Sequence, residues 1–301
     1  MLCLVVVVWG TNWPMTKMVV REMPPLWSTA MRCAIAAGVL AVLLALRKEF
    51  VVPKRGDLPV VFSAALLHMT AFSALIATGL QVLPAGRGIV LGYTTPIWVT
   101  IGAHIFLSEA ITTRRMIGVC LGLAGLAVIF NPASLAWSDR QALAGSGLIL
   151  LAAMCWAGNI VYVRAHTWIS SPFQLVFWQA LLACLVLSTL AILVEGIPHI
   201  TWTAQLVALL VFSGMVSTAL AHWTLTMVNR SLPAVTTSLG LLATPAVGIV
   251  SGIVMLGEPF ELSLVAALAL IIGGIVIGIV GDARIDQPTK QPRAVLSSDG
   301  A

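Results

Sequence analysis

The sequence predicts an all-α polytopic membrane protein, with ten transmembrane helices in two inverted five-helix repeats. Three observations carry that expectation: the composition, the lengths of the apolar blocks, and a match between the first half of the chain and the second. Apolar residues fill 59% of the 301 positions and charged residues only 9%, against roughly 25% charged in an ordinary soluble protein. Eleven acidic and sixteen basic side chains cannot solvate a globule of this size. A soluble enzyme and a nucleic-acid module are therefore excluded, whatever the net charge of +5 suggests. An outer-membrane barrel is excluded as well, because the apolar residues run in long blocks and do not alternate at period 2.

A bilayer crossing needs about 17–25 mostly apolar residues. Ten stretches qualify: 2–20, 26–46, 58–80, 84–107, 114–131, 145–167, 172–194, 204–227, 233–256 and 262–281. The first lacks a basic leader and a small-residue cleavage site, so it reads as a retained span and not as a signal peptide. Spans 2 and 3 are separated by the charged, proline-containing connection Arg47–Asp57, and spans 5 and 6 by Asn131–Gln141. Spans 4 and 9 carry Pro96 and Pro245 at their centres, each behind a threonine. Beyond Asp282 the chain is polar, with Pro288 and Pro292, and is expected to be a disordered cytoplasmic tail over 282–301. The five cysteines all lie in apolar blocks without a CxxC pair, so neither a disulfide framework nor a zinc site is expected.

Orientation follows from the basic residues near span ends. Arg47, Lys48, Lys54, Arg55, Arg114, Arg115, Arg164, Arg230, Arg284, Lys290 and Arg293 share one set of faces. The opposite set holds only Lys17, Arg21, Arg87 and Arg140. That asymmetry puts both termini in the cytoplasm of an inner-membrane protein.

Displaced by 147 positions, the chain matches itself at Leu4/Leu151, Trp9/Trp156, Asn12/Asn159 and Pro25/Pro172. Displaced by 149, Leu83-Pro84-Ala85 meets Leu232-Pro233-Ala234, Thr95-Pro96 meets Thr244-Pro245, and Glu109 meets Glu258. Coincidences at Trp, Asn, Pro and Glu are informative in a sequence this rich in Leu and Ala. They divide the chain into a first unit at 1–132 and a second at 145–281. Five crossings per unit is an odd number, so the second unit threads the membrane in the opposite sense. Inverted repeats are an architecture of secondary transporters, with the substrate site near the midplane where the halves meet. A duplicated membrane scaffold without transport is the plain alternative.

Several of these elements carry a resemblance. They are Trp9-Gly10-x-Asn12, its partner in span 6, the proline pairs Pro84/Pro96 and Pro233/Pro245, and Leu256-Gly257-Glu258-Pro259 with its counterpart Leu107-Ser108-Glu109. Over residues 2–281 the chain resembles the EamA-type drug/metabolite transporters, and within them most the YddG-type exporters of aromatic and other neutral amino acids. The resemblance implies a basket-shaped bundle with a central cavity lined by spans 1, 3, 4, 6, 8 and 9, and with spans 5 and 10 at the periphery.

Candidate substrate-binding residues follow from polarity inside the spans. Trp9 with Asn12, and Trp156 with Asn159, stand three apart and share a helix face, setting an aromatic plate beside an amide. An amide can bind a carboxylate or an ammonium group; the alternative is interhelical glue for Asn and an interfacial belt for Trp. Trp137, Trp168 and Trp202, at span ends, suit the belt. His68 lies mid-span and His222 within span 8, each a substrate ligand, a titrating group or a neutral structural histidine. Tyr93, Thr95 and Thr244 neighbour the central prolines and are expected at the cavity. Pro96 and Pro245 are read as gating hinges, or as static kinks satisfied by threonine. Arg32 and Arg87 lie near outer boundaries and are read as snorkelling side chains. The Gly-xxx-Gly pairs at 88/92, 118/122, 248/252 and 274/278 permit close helix approach.

The expected function is secondary transport: export of amino acids or related metabolites by alternating access. All eleven acidic residues lie in loops or at span ends, whereas proton-driven carriers generally hold a midplane carboxylate. Facilitated flow without ion coupling is therefore expected, with a proton-coupled multidrug or cation exporter as the alternative. The absence of HExxH, GxSxG and a P-loop argues against a membrane enzyme and against ATP-driven transport; a lipid scramblase is a further alternative. No cofactor, metal or nucleic-acid partner is expected, only a small-molecule substrate and the bilayer, and no oligomer is indicated.

Overall fold

The computed structural model describes residues 1–108, 112–129, 140–166, 169–221, 224, 241 and 243–282. Helix accounts for the regular structure among them, in ten segments once internal breaks are joined. These are α1 (Leu2–Glu22), α2 (Pro25–Arg47), α3 (Arg55–Val82), α4 (Ala85–Leu107), α5 (Thr113–Ile129), α6 (Arg140–Ala165), α7 (Pro172–Val194), α8 (Ala204–Leu220), α9 (Thr244–Leu256) and α10 (Leu262–Asp282). α1, α2, α3, α4, α6 and α7 are long and apolar enough to cross a bilayer; the described apolar stretches of the other four are shorter. Phe106 and Val254 are each 77% exposed, a placement suited to lipid and costly in water. Glu109, Trp137, Trp168, Pro233, His222 and the tail beyond Asp282 lie outside the described residues.

Local chemistry explains the helix ends. Proline opens α2, and Pro84 precedes α4, where a missing N–H costs nothing. Ser171 and Gln174 form a reciprocal capping box at the start of α7, and Thr203 Oγ1 accepts the Leu206 N–H at 3.1 Å to start α8. α4 and α9 end alike, on a left-handed residue: Ser108 at φ 54° and Gly257 at φ 64°.

Three features depart from ten regular helices. First, Pro96 does not kink a continuous helix. α4 breaks at Tyr93–Thr94, and Pro96 lies in the first turn of its second half, Thr95–Leu107. Pro245 occupies the same place in Thr244–Leu256. Second, Pro14 stands inside the continuous helix α1. Third, α3 and α8 each contain a nine-residue stretch of wide π-helical turns, Ala64–Phe72 and Phe212–Leu220. Hydroxyls reach back five residues there: Ser73 Oγ donates to His68 O at 3.4 Å and Thr218 Oγ1 to Ser213 O at 2.8 Å.

The helices pack in matched pairs. α1 lies against α9 and α6 against α4; α2 meets α8 and α7 meets α3; α2 also meets α7, and α5 meets α10. Glycine permits the closest approaches. A Cβ on Gly10 would stand 2.7 Å from Val247 of α9, and one on Gly125 would stand 2.8 Å from the Ala267 carbonyl of α10. Gly274 of α10 likewise meets Gly118 of α5, so these glycines serve contact within one chain.

Connections gather at two ends. At one, Glu195 accepts the N–H groups of Leu26 and Trp27 (2.9 and 3.2 Å), and Thr203 donates to Glu22 at 3.2 Å. Glu258 accepts those of Ala85 and Gly86 (2.6 and 3.0 Å) and pairs with Lys17 at 3.3 Å. At the other end, Asp57 accepts the N–H groups of Ile169 and Ser170, both at 3.0 Å, and Trp178 Nε1 donates to Val51 O at 2.8 Å. In each case a carboxylate from one half fastens the start of a helix, or the turn before it, in the other half.

Candidate functional site

A cavity inside the bundle is lined from α1, α2, α3, α4, α6 and α8. α2 thus joins the wall beside the expected spans 1, 3, 4, 6 and 8, while residues 233–240 and 242 of the expected span 9 lie outside the described residues.

α1 supplies Trp9, Asn12, Trp13 and Thr16, spaced to share one helix face. The Trp9 indole N–H donates to Ser217 O of α8 at 3.1 Å. Ser213 Oγ, also of α8, donates to Asn12 Oδ1 at 3.0 Å, and the Asn12 amide N–H points to Thr16 Oγ1 at 3.4 Å. These bonds fasten α1 to α8 and fix the side chains that face the cavity.

On the opposite wall, His68 and Phe72 of α3 meet Trp156 of α6. His68 and Trp156 stack with centroids 5.5 Å apart and planes 7° from parallel. Phe72 leans on Trp156 at 5.1 Å and on His68 at 5.5 Å, both at 48°. His68, Met69 and Phe72, within the wide turns, and Ser73 just after them stand together on the cavity wall. Such turns are frequent at functional sites. Tyr93, at the break in α4, completes this side.

Of the expected substrate ligands, the structure thus brings together Trp9, Asn12, His68, Tyr93 and Trp156. Three others lie off the wall. Asn159 is buried and accepts a hydrogen bond from Ser63 Oγ at 3.1 Å, which is the interhelical glue reading. Thr95 is buried with its hydroxyl on Gly92 O at 2.8 Å, stitching the break ahead of Pro96. Thr244 is wholly buried. His222 is outside the described residues. Thr95 completes local backbone, and neither threonine lines the cavity.

Arg32 is the cavity residue that sequence reasoning set aside. It does not snorkel to a boundary: with Ser28, Thr29 and Cys33 it forms the α2 stripe of the wall. The signal was present, because positions i, i+1, i+4 and i+5 make one helix face, and in an apolar span such a polar stripe points inward. Arg87, also read as snorkelling, pairs with Glu261 at 3.8 Å. Among the described residues, no aspartate or glutamate lines the cavity. No cluster of three metal-ligating side chains occurs among the described residues.

Comparison with known proteins places this architecture. The uncharacterized transporter YvbV of Bacillus subtilis (strain 168) is 30% identical over 277 residues, covering 91% of this chain and 89% of that protein. A probable amino-acid metabolite efflux pump of Salmonella typhimurium is 30% identical over 291 residues, covering 92% and 93%. A solved crystal structure superposes with a TM-score of 0.66 at 17% identity, over 94% of this chain and 96% of its own, a likeness of fold. The model of the EamA-like transporter family matches twice, at residues 1–131 and 143–280. With a transporter signature over both parts of the chain and relatives that are named as transporters and not as enzymes, this protein is a membrane transporter of the EamA-like family.

Proposed function

We propose that this chain is a secondary transporter that exports neutral amino acids, aromatic ones among them, or related small metabolites across the inner membrane by alternating access. The observation that carries the reading is the cavity itself. It sets a stacked aromatic wall (His68, Trp156, Phe72) opposite an amide-bearing face (Asn12), suited to a solute with one apolar and one polar end. The similarity to a probable amino-acid metabolite efflux pump supports the same class of cargo.

Alternating access rests on two inverted halves, 1–132 and 145–281. Several matched details support that division. Ser63 donates to Asn159 as Ser213 donates to Asn12. The π-helical stretches of α3 and α8, and the left-handed ends of α4 and α9, fall at corresponding positions. The helix pairs exchange under the same correspondence. The break ahead of Pro96 and the helix start at Pro245 are the hinges in this reading, letting half-helices tilt while the cavity residues stay in place. Both termini are cytoplasmic, and no ion coupling is obligatory in this reading, since no carboxylate among the described residues lines the cavity.

The test is a counterflow panel. Vesicles holding purified protein and one unlabelled amino acid take up its labelled form if the protein exchanges it. Saturable, stereoselective counterflow of L-phenylalanine or another neutral amino acid is expected; a panel without any such flux removes this reading.

A further inference from the structure

We propose that Arg32 is the anion receptor of the cavity, and that the transported solute carries a carboxylate that pairs with its guanidinium. The inference rests on the transporter reading above and deepens it by naming the group that the cargo presents.

Arg32 lies eight residues into α2, on the stripe that faces the cavity. Its Nε is enclosed by the protein and has no hydrogen-bond partner. The ion pairs among the described residues are Lys17–Glu258 and Arg87–Glu261, both at one end of the bundle. The other ionisable side chains on the cavity wall are His68, Tyr93 and Cys33, none a carboxylate. On the same stripe, Ser28 and Thr29 donate their hydroxyl protons to Pro25 O at 2.8 and 2.9 Å. Arg32 is thus the strong donor left for a guest on that stripe.

Removing a cation from water without a counter-charge is costly, and architecture does not require the charge here. Displaced by 147 positions, Arg32 falls on Gln179, a buried neutral residue of α7 that does not line the cavity. The repeat pattern therefore differs at the position where one half turns a guanidinium toward solute space. A planar guanidinium binds a carboxylate through two parallel hydrogen bonds. The apolar end of the same solute has the His68–Trp156–Phe72 wall to lie against. A cargo whose only charge is positive meets a like charge in a poorly screened space.

Three probes matched in their ring decide the matter in vesicles bearing the full chain, at one fixed neutral pH and against protein-free vesicles. L-Phenylalanine carries an ammonium and a carboxylate, phenylpyruvate only the carboxylate, and L-phenylalaninamide only the amine. The wild-type protein is expected to carry both carboxylates saturably and to refuse the amide. Arg32→Gln, which copies the other half, should raise the KM for both carboxylates by about ten-fold or more and reduce discrimination against the amide, with Arg32→Lys in between. If the glutamine variant does not fold, the wild-type comparison alone decides. Equal flux of the amide, an unchanged KM in folded Arg32→Gln, or no saturable flux of either carboxylate overturns the proposal. Flux of phenylpyruvate but not of phenylalanine upholds Arg32 and removes the amino-acid reading instead.

Discussion

Trp156 and Asn159 stand three residues apart on one helix, yet they do different work. The indole faces the cavity and stacks on His68, while the amide is buried against Ser63 of α3. Replacing each with alanine should separate binding from stability. In Trp156→Ala the chain should stay monodisperse while the KM for a transported aromatic amino acid rises about ten-fold, the scale of one lost ring contact. In Asn159→Ala the KM should hold and thermal stability should fall, by about 1–3 kcal/mol, because the buried Ser63 bond is lost. Kinetics in vesicles and melting in detergent, run on both variants, check the pair. Residue identity was legible here and direction was not. A polar residue in mid-span announces that it faces protein, but a helix interior has neighbours on several sides. Arg32 shows the converse error: nearness to a boundary suggested snorkelling, where the stripe Ser28–Thr29–Arg32–Cys33 marked the cavity.

At the scale of elements, α4 and α9 end in the same left-handed conformation with different residues. Glycine adopts it freely, whereas a Cβ strains it. Ser108→Gly should therefore stabilise the fold by about 0.5–1 kcal/mol, and Gly257→Ala should destabilise it by about 1 kcal/mol. Denaturation midpoints of the two variants against wild type measure both, and equal shifts of the same sign would contradict the assignment. The breaks and wide turns were the least legible elements. Pro96 and Pro245 signalled a disturbance, but the sequence does not say whether a helix bends through a proline or stops and restarts on it. The π-helical stretches in α3 and α8 are mostly apolar on both their buried and their exposed sides, so the polarity pattern does not betray an i→i+5 ladder. The span ends were legible because Pro24, Pro84, Ser171 and Thr203 each fix a helix start by local chemistry.

For the whole molecule, the two ends differ in what holds them. Glu258 fastens α4 and Lys17 at one end and Asp57 fastens the approach to α7 at the other. Glu258→Gln keeps the shape but gives up the charge. It should cost about 1.5–3 kcal/mol in stability, read from the melting of purified protein. The basic-residue asymmetry predicts which end is outside. In intact cells, single cysteines at 195–203 should react with an impermeant thiol reagent, and those at 48–56 should not; reaction at 48–56 would invert the topology. The proposed duplication rests on matches at Trp, Asn, Pro and Glu, which are informative because those residues are rarer here than Leu and Ala. The most direct measurement of the central claim is flux of a transported amino acid in vesicles of purified protein, with and without an imposed pH gradient, holding substrate protonation fixed. The account predicts saturable flow down the substrate gradient, with the same final level whether or not protons are offered. Uphill accumulation driven by the proton gradient alone, lost in His68→Gln, would contradict it.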